Sequence, residues 1–244
     1  MPTFWNPLNS WPGIQKINYK GSVSIDFTRI SGIIGVILFK HTKGKVMHIL
    51  IDIDNVLLNS FYKKGTQTLF YWTQHLEKDL CINPKTLGQL FTKDFLLKKP
   101  DEVYNYINNY LTNNTYSISS DTFLNYWLEH DSNLNNAVWT WVLNNYKLKK
   151  HTFYIASDQS CVRMDYLLKK FPLWEEVFKN IFTSFSLGVC KNNPLFFQKI
   201  LSEIKAEATD ICLIDDNIEN INVAGGMNIK TILFSGISSL PPTL

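Results

Sequence analysis

Four polar clusters, each directly after a short apolar segment, contain the residues whose types and spacing could carry chemistry. In chain order they are Asp52-Ile53-Asp54-Asn55-Val56, Ser157-Asp158, Lys191, and Asp215-Asp216. Of the two carboxylates in the first cluster, one can attack a substrate while the other handles a proton. The hydroxyl of Ser157, with the backbone N–H groups around it, could hold an anionic oxygen.

Acidic side chains that gather around one crevice repel one another, so the site needs a bound cation or raised pKa values. A set of carboxylates without histidine or cysteine ligands favours Mg²⁺ over zinc. Lys191 would then balance the remaining charge and could reach a phosphate. These residue types therefore predict a Mg²⁺ site beside an anion-binding site.

The composition excludes several other classes of protein. Hydrophobic residues make up 45% of the 244 residues, enough for a packed core, and no run of about 18 apolar residues predicts a membrane-spanning helix. A formal net charge of +3 does not indicate nucleic-acid binding. The four cysteines lack the spacing of a zinc site or a disulfide framework, so we expect free thiols and a cytoplasmic protein.

The elements that must position these clusters alternate between strand and helix over much of the chain. The apolar segments predict strands at His48–Ile51, Thr152–Ala156, Ile181–Thr183, Ile211–Ile214 and Thr231–Phe234, and the periodicity predicts helices over 159–170, 194–205 and 218–227. This alternation is typical of a Rossmann-like parallel sheet with helices on both faces. Ligands of such sheets bind beyond the carboxyl ends of the strands, so we expect the four clusters to converge there.

A different pattern separates the first predicted strand from the second. Helical spacing is found over 66–80, after the Asn83-Pro84 pair, after Pro100, after Asp121 and over 134–147. The fold class that we predict is therefore an α/β core with an inserted, all-helical cap. The core comprises residues 47–60 and 148–244, and the cap comprises residues 61–147.

Residues 1–46 follow no pattern of the core. An apolar run from Ile30 to Phe39 resembles the centre of a secretory signal, but it lies far from the N-terminus and no small-residue cleavage site follows it. Two other interpretations are a loosely attached extension and a natural start of the protein at Met47. We treat it as an N-terminal extension of unknown role.

The order of the clusters resembles that of the haloacid dehalogenase-like (HAD) hydrolase superfamily, in its subfamily I, which has a helical cap after the first strand. That family has an Asp-x-Asp first motif, a Ser or Thr second motif, a Lys third motif and an acidic fourth motif. Their counterparts here are Asp52-Ile53-Asp54, Ser157, Lys191 and Asp215-Asp216. The resemblance covers about three-quarters of the chain, from Met47 to about Phe234.

The resemblance implies a role for each site residue. Asp52 would be the nucleophile that forms an aspartyl-phosphate, and Asp54 would protonate the leaving oxygen and then deprotonate water. Ser157 and Asp158, with Lys191, would lie at the phosphate. The Mg²⁺ ligands would be Asp52, the backbone carbonyl of Asp54, and Asp216, supported by Asp215. The substrate would then be a small-molecule phosphate ester.

Other activities stay open at this point. The same scaffold supports a 2-haloacid dehalogenase, against which Asp54 and the Asp215-Asp216 pair argue, and a phosphotransferase or mutase. A non-catalytic binding protein is the alternative from another class. Two departures from the family pattern bear on this choice: Asp158 follows Ser157 where Asn is frequent, and Asn192 follows Lys191 where Pro is frequent. The substrate and the oligomeric state are not readable from the sequence.

Overall fold

A five-stranded parallel sheet forms the centre of the computed structural model, which describes residues 46–64 and 67–243. Its strands are β1 (His48–Ile51), β4 (Thr152–Ser157), β5 (Phe178–Thr183), β6 (Ile211–Asp215) and β7 (Lys230–Leu233), in the order β5-β4-β1-β6-β7. Ile51 pairs with Ile155 on one side and Ile214 on the other, so the central strands end at one level. The predicted α/β sheet is confirmed.

Helices of the core cover both faces of this sheet. They are α6 (Cys161–Lys170), α7 (Leu173–Val177), α8 (Ser184–Leu187), α9 (Pro194–Ile204) and α10 (Ile218–Gly226). Because strand side chains alternate between faces, Ile49 and Ile51 pack in one apolar cluster with Leu167, while Leu50 packs in another with Phe197. The helices predicted over 159–170, 194–205 and 218–227 correspond to α6, α9 and α10.

The segment between β1 and β4 contains five helices among its described residues. They are α1 (Leu76–Leu80), α2 (Lys93–Leu97), α3 (Pro100–Asn113), α4 (Ser120–His130) and α5 (Asn136–Lys147), with 3₁₀ turns at Tyr71–Thr73 and Pro84–Gln89. The predicted helix starts at Pro84 and Pro100 are confirmed, and Asn83 caps its turn by accepting from the Lys85 N–H. A separate apolar cluster, centred on Trp72, Phe95 and Trp127, holds most of this segment together.

The prediction of an all-helical insert was wrong at its start. The helix expected over 66–80 is a strand, a 3₁₀ turn and the short α1, because β2 (Phe61–Lys64) and β3 (Gln67–Phe70) form an antiparallel hairpin. The Phe61 and Phe70 rings pair across it at 4.6 Å between centroids. Cross-strand aromatic pairing outweighs the helical spacing of the apolar residues.

The domain boundaries remain a prediction, and the packing of α5 bears on them. Val138, Trp141 and Val142 of α5 pack in the cluster of Ile49 and Ile51, not in that of the other insert helices. The extension over 1–46 lies outside the described residues except for Val46. In the described part, no helix is long and apolar enough to cross a membrane.

Candidate active site

The carboxyl ends of β1, β4 and β6 bring the predicted site residues together. Asp52 directly follows β1, while Ser157 and Asp215 are the last residues of β4 and β6. Because β1 lies between the other two strands, these ends meet at one edge of the sheet. A cavity of about 860 Å³ opens there, lined by six of the seven predicted residues: Asp52, Asp54, Ser157, Asp158, Lys191 and Asp216. The seventh, Asp215, is fully buried beneath it.

Lys191 is the cation at the base of this cavity. Its Nζ lies 2.8 Å from Asp52 Oδ1 and 2.6 Å from Asp215 Oδ2, and the residue is only 1% exposed. Burial alone would lower the pKa of Lys191, but the two carboxylates raise it above its ordinary value. The lysine is therefore held as an ammonium. Asn220 holds Asp215 from the other side through its Nδ2 at 3.2 Å.

Three carboxylates form a group that could hold a cation. Oxygen atoms of Asp52, Asp215 and Asp216 all lie within 4.8 Å of one another. Burial raises the pKa of Asp52 well above its ordinary value although Lys191 opposes this, because one ammonium faces several carboxylates. Burial likewise raises the pKa of Asp216, against a hydrogen bond of 2.9 Å from Asn55 Nδ2. Crowded oxygen donors of this kind fit Mg²⁺.

The Asp54 carboxylate lies outside this group and accepts four hydrogen bonds. Its Oδ1 accepts from Ser60 Oγ at 2.7 Å and Arg163 Nη2 at 2.8 Å, and its Oδ2 accepts from Gln159 Nε2 at 2.6 Å and Arg163 Nη1 at 2.8 Å. Burial raises the pKa of Asp54, but the Arg163 guanidinium and these hydrogen bonds outweigh it and hold the pKa below its ordinary value. Asp54 is thus kept as a carboxylate.

Arg163 links this site to the insert. The guanidinium Nη2 lies 3.1 Å from Oδ2 of Asp131, which follows α4 and also accepts from Trp127 Nε1 at 3.0 Å. Burial raises the pKa of Asp131 to about 7, because the opposing attraction of Arg163 is shared with Asp54. One guanidinium therefore joins the loop after β1, helix α6 and the end of α4.

Sequence reasoning missed Arg163, Gln159 and Asp131. A sign of Arg163 was present, because it lies four residues before the buried Leu167 on a helix of otherwise apolar inner face. Gln159 and Asp131 carried no such sign, since each depends on the side chain that it meets across the fold.

Ser157 and Asp158 lie at the cavity with partners of their own. Ser157 Oγ accepts from Gln159 Nε2 at 3.2 Å. Asp158 Oδ1 accepts from the Lys191 backbone N–H at 3.0 Å, and burial raises its pKa although Lys191 opposes this. The aspartate that departs from the family pattern therefore holds the loop of the third motif.

Comparisons with known proteins identify the fold. No family model matches the chain. The HAD family enzyme BT-2542 from Bacteroides thetaiotaomicron, whose structure is a complex with magnesium and inorganic phosphate, is 18% identical, with a TM-score of 0.61 over 76% of this chain and 92% of that one. YfnB from Bacillus subtilis, a HAD hydrolase bound to magnesium, is 18% identical, with a TM-score of 0.52 over 77% and 86%.

A 2-haloacid dehalogenase from Pseudomonas syringae is 13% identical, with a TM-score of 0.53 over 78% of this chain and 86% of that one. Among curated proteins, drimenol cyclase drtB from Aspergillus calidoustus is 31% identical over 81 residues, which are 33% of this chain and 15% of that protein. The chain thus spans a small part of that relative. The structural likenesses show that the chain has the fold of the HAD hydrolases, as its sequence motifs indicate.

Proposed function

We propose that this protein is a HAD-like hydrolase, a Mg²⁺-dependent phosphatase that cleaves a small-molecule phosphomonoester through an aspartyl-phosphate on Asp52. The observation that supports it most is the meeting of Asp52, Lys191 and the Asp215-Asp216 pair around one cavity. Phosphoryl transfer needs positioning and neutralised charge, and these groups supply both. The solved HAD enzymes that contain magnesium support the choice of metal.

In the first step, formation of the aspartyl-phosphate, each polar group at the sheet edge has a role. An Asp52 oxygen attacks phosphorus, the bond from phosphorus to the ester oxygen breaks, and the alcohol leaves. Lys191 and the Ser157 hydroxyl stabilise the negative charge on the transferring phosphoryl oxygens. Mg²⁺, held by the carboxylates of Asp52 and Asp216 with the Asp54 carbonyl, would neutralise phosphoryl charge when bound.

Asp54 transfers the proton in both steps, and its hydrogen-bond partners favour its carboxylate form. As a carboxylate held by Arg163, it is ready to take the proton of the water that attacks the aspartyl-phosphate, which releases inorganic phosphate. Donating a proton to the leaving alcohol in the first step requires that Asp54 be protonated and that a hydrogen bond from Arg163 open.

The test is release of phosphate from p-nitrophenyl phosphate with and without Mg²⁺. We expect Mg²⁺-dependent turnover that Asp52→Asn reduces by at least about 1,000-fold, because the nucleophile is lost. Asp165→Asn is the matched control, since Asp165 is exposed on α6, and it should keep the parent rate.

A second candidate, a non-catalytic binding protein, is favoured by the four hydrogen bonds that occupy Asp54. Beryllium fluoride, which mimics an aspartyl-phosphate, separates the two. Mg²⁺-dependent binding that Asp52→Asn abolishes supports the enzyme even where p-nitrophenyl phosphate is a poor substrate. Absence of both turnover and binding refutes the phosphatase and favours the binding protein.

A further inference from the structure

A second cavity, of about 190 Å³, adjoins the reaction cavity. The two share Asp54, Phe61 and Asp158 in their walls, so they are neighbours on the Asp54 side. Six aromatic side chains of the insert dominate the wall of the second cavity: Phe61, Phe70, Trp72, Phe91, Phe95 and Trp127. We call it the aromatic pocket.

The aromatic rings brace one another and make a preformed wall. Phe91 lies 4.8 Å from Trp127 and 5.7 Å from Trp72 between ring centroids, in tilted or edge-on contacts. Trp72 and Trp127 are nearly buried, while Phe91 is partly exposed at the boundary of the pocket. A pocket that needs no rearrangement loses little affinity to ordering on binding.

The polar side of the pocket has little charge to offer a ligand. Arg163, Asp54 and Asp131 line it together with Asp158, Gln159 and Ser160. The guanidinium is already paired with Asp54 and Asp131, and Asp158 accepts a hydrogen bond from the Lys191 N–H. Three polar atoms on this side have no hydrogen-bond partner among the described residues, but Asp131 Oδ1, Ser160 Oγ and Arg163 Nε are themselves buried. A sugar or a nucleotide ribose placed among the rings would therefore lose its hydration without reaching matching partners. An apolar group meets no such cost.

We propose that the aromatic pocket receives the leaving group, and that the substrates are phosphate monoesters of apolar alcohols, aromatic or branched. The inference rests on the proposed function, because Asp54 serves the leaving oxygen and stands at the entrance to the pocket. Size supports this substrate class, since an apolar cavity of about 150 Å³ accommodates benzene. One ring, or a branched chain of about five carbon atoms, fills 190 Å³.

The test compares esters of primary alcohols, so that the acidity of the leaving group is similar: benzyl phosphate, 3-methylbutyl phosphate and glycerol 3-phosphate. We expect kcat/KM for each apolar ester to exceed that for glycerol 3-phosphate by at least about 50-fold. Benzylphosphonate should bind more tightly than methylphosphonate in the presence of Mg²⁺, by calorimetry, which tests the pocket without turnover.

Variants assign the preference to the pocket. Phe91 lies at the boundary of the aromatic pocket. Phe91→Ala should reduce the ratio of kcat/KM for benzyl phosphate to that for glycerol 3-phosphate at least about tenfold, because the benzyl group loses its contact with the Phe91 ring. Tyr104→Ala is the matched control, since Tyr104 is an exposed aromatic of the insert that does not line the pocket. It should leave the ratio unchanged.

The outcomes separate the two proposals. Equal turnover of the glycerol and apolar esters, or equal affinity for the two phosphonates, overturns the assignment of the pocket and leaves the phosphatase standing. No turnover of any ester, together with no Mg²⁺-dependent binding of beryllium fluoride, overturns the phosphatase and this inference with it.

Discussion

Replacing Arg163 by methionine should destabilise the protein strongly. The residue is 4% exposed, and its guanidinium donates two hydrogen bonds of 2.8 Å to Asp54, one of 2.8 Å to Gln159 Oε1 and one of 3.1 Å to the Asp131 carbonyl. Methionine fills similar space but leaves the buried Asp131 and the partly buried Asp54 without a cation.

The size of the destabilisation depends on which of the two carboxylates stays charged after the cation is removed. Asp131 has a pKa raised to about 7 mainly by burial, so it can take up a proton near neutral pH and relieve its own charge. Asp54 has a lowered pKa, held so by Arg163 against burial, and loses that stabilisation. Breaking one buried ion pair costs about 3–5 kcal/mol. At about 2–4 °C per kcal/mol for a chain of this size, Tm should fall by about 6–20 °C.

The assay is urea unfolding near neutral pH, followed by tryptophan fluorescence and far-ultraviolet circular dichroism. Lys169→Met is the matched control, because Lys169 is exposed on the same helix, and it should lie within about 0.5 kcal/mol of the parent. The free energy of unfolding of Arg163→Lys should lie between those of Arg163→Met and Lys169→Met. A lysine restores the positive charge, but its ammonium cannot make the paired hydrogen bonds to Asp54.

A double-mutant cycle isolates the ion pair. Adding Asp54→Asn to Arg163→Met removes the stranded charge, so the loss should be smaller than the sum of the single losses by at least about 1.5 kcal/mol. The reasoning is refuted if Arg163→Met lies within about 1 kcal/mol of the parent, or if the two substitutions are additive.

Two further predictions concern charge and metal. Burial raises the pKa of Asp131 from 3.8 to about 7 against Arg163, so between about pH 4 and pH 7 the folded protein holds a proton that the unfolded chain has released. The part of the free energy of unfolding that depends on this group therefore falls as pH rises, by on the order of 4 kcal/mol between about pH 4 and pH 7. Asp131→Asn should remove that decline in urea unfolding across this pH range; an unchanged slope contradicts this. Mg²⁺ at about 100 times its Kd should stabilise the parent by about 3 kcal/mol, and Asp216→Asn but not Asp165→Asn should abolish that gain in thermal unfolding; equal gains in both variants exclude Asp216 as a ligand.

The sheet, and the meeting of the polar residues at one of its edges, were predictable because their sequence signals are local. A short apolar run such as His48–Ile51 and the polar residue after it carry the information for a buried strand and for where its carboxyl end lies. The order of strands did not have to be known in detail, since the carboxyl ends of parallel strands share one edge. The hairpin at Phe61–Phe70 was missed because its strands are only four residues each and the aromatic pair that closes them lies nine residues apart, while the spacing of Leu69, Phe70 and Leu76 favours a helix.

The partners of Asp54 show what local reasoning leaves out. Its position two residues after Asp52 predicts a proton-transfer role, but its protonation state depends on Arg163, which is 109 residues further along the chain. The same guanidinium meets Asp131, which follows α4 and lies 32 residues before Arg163 in the chain. A residue type predicts the chemistry that a group can do, whereas the charges that the fold places beside it decide which half of that chemistry is favoured.

The formal charges of the site set the order in which ligands can bind. Five carboxylates, Asp52, Asp54, Asp158, Asp215 and Asp216, face two buried cations, Lys191 and Arg163. Arg163 is engaged by Asp54 and Asp131, so among the described residues that line the reaction cavity Lys191 is the one cation beside Asp52, Asp158, Asp215 and Asp216. A phosphate dianion would enter a negative site, whereas a divalent cation among Asp52, Asp215 and Asp216 removes most of that charge first. Phosphate should therefore depend on Mg²⁺ for binding, and the aromatic pocket supplies the affinity that charge does not.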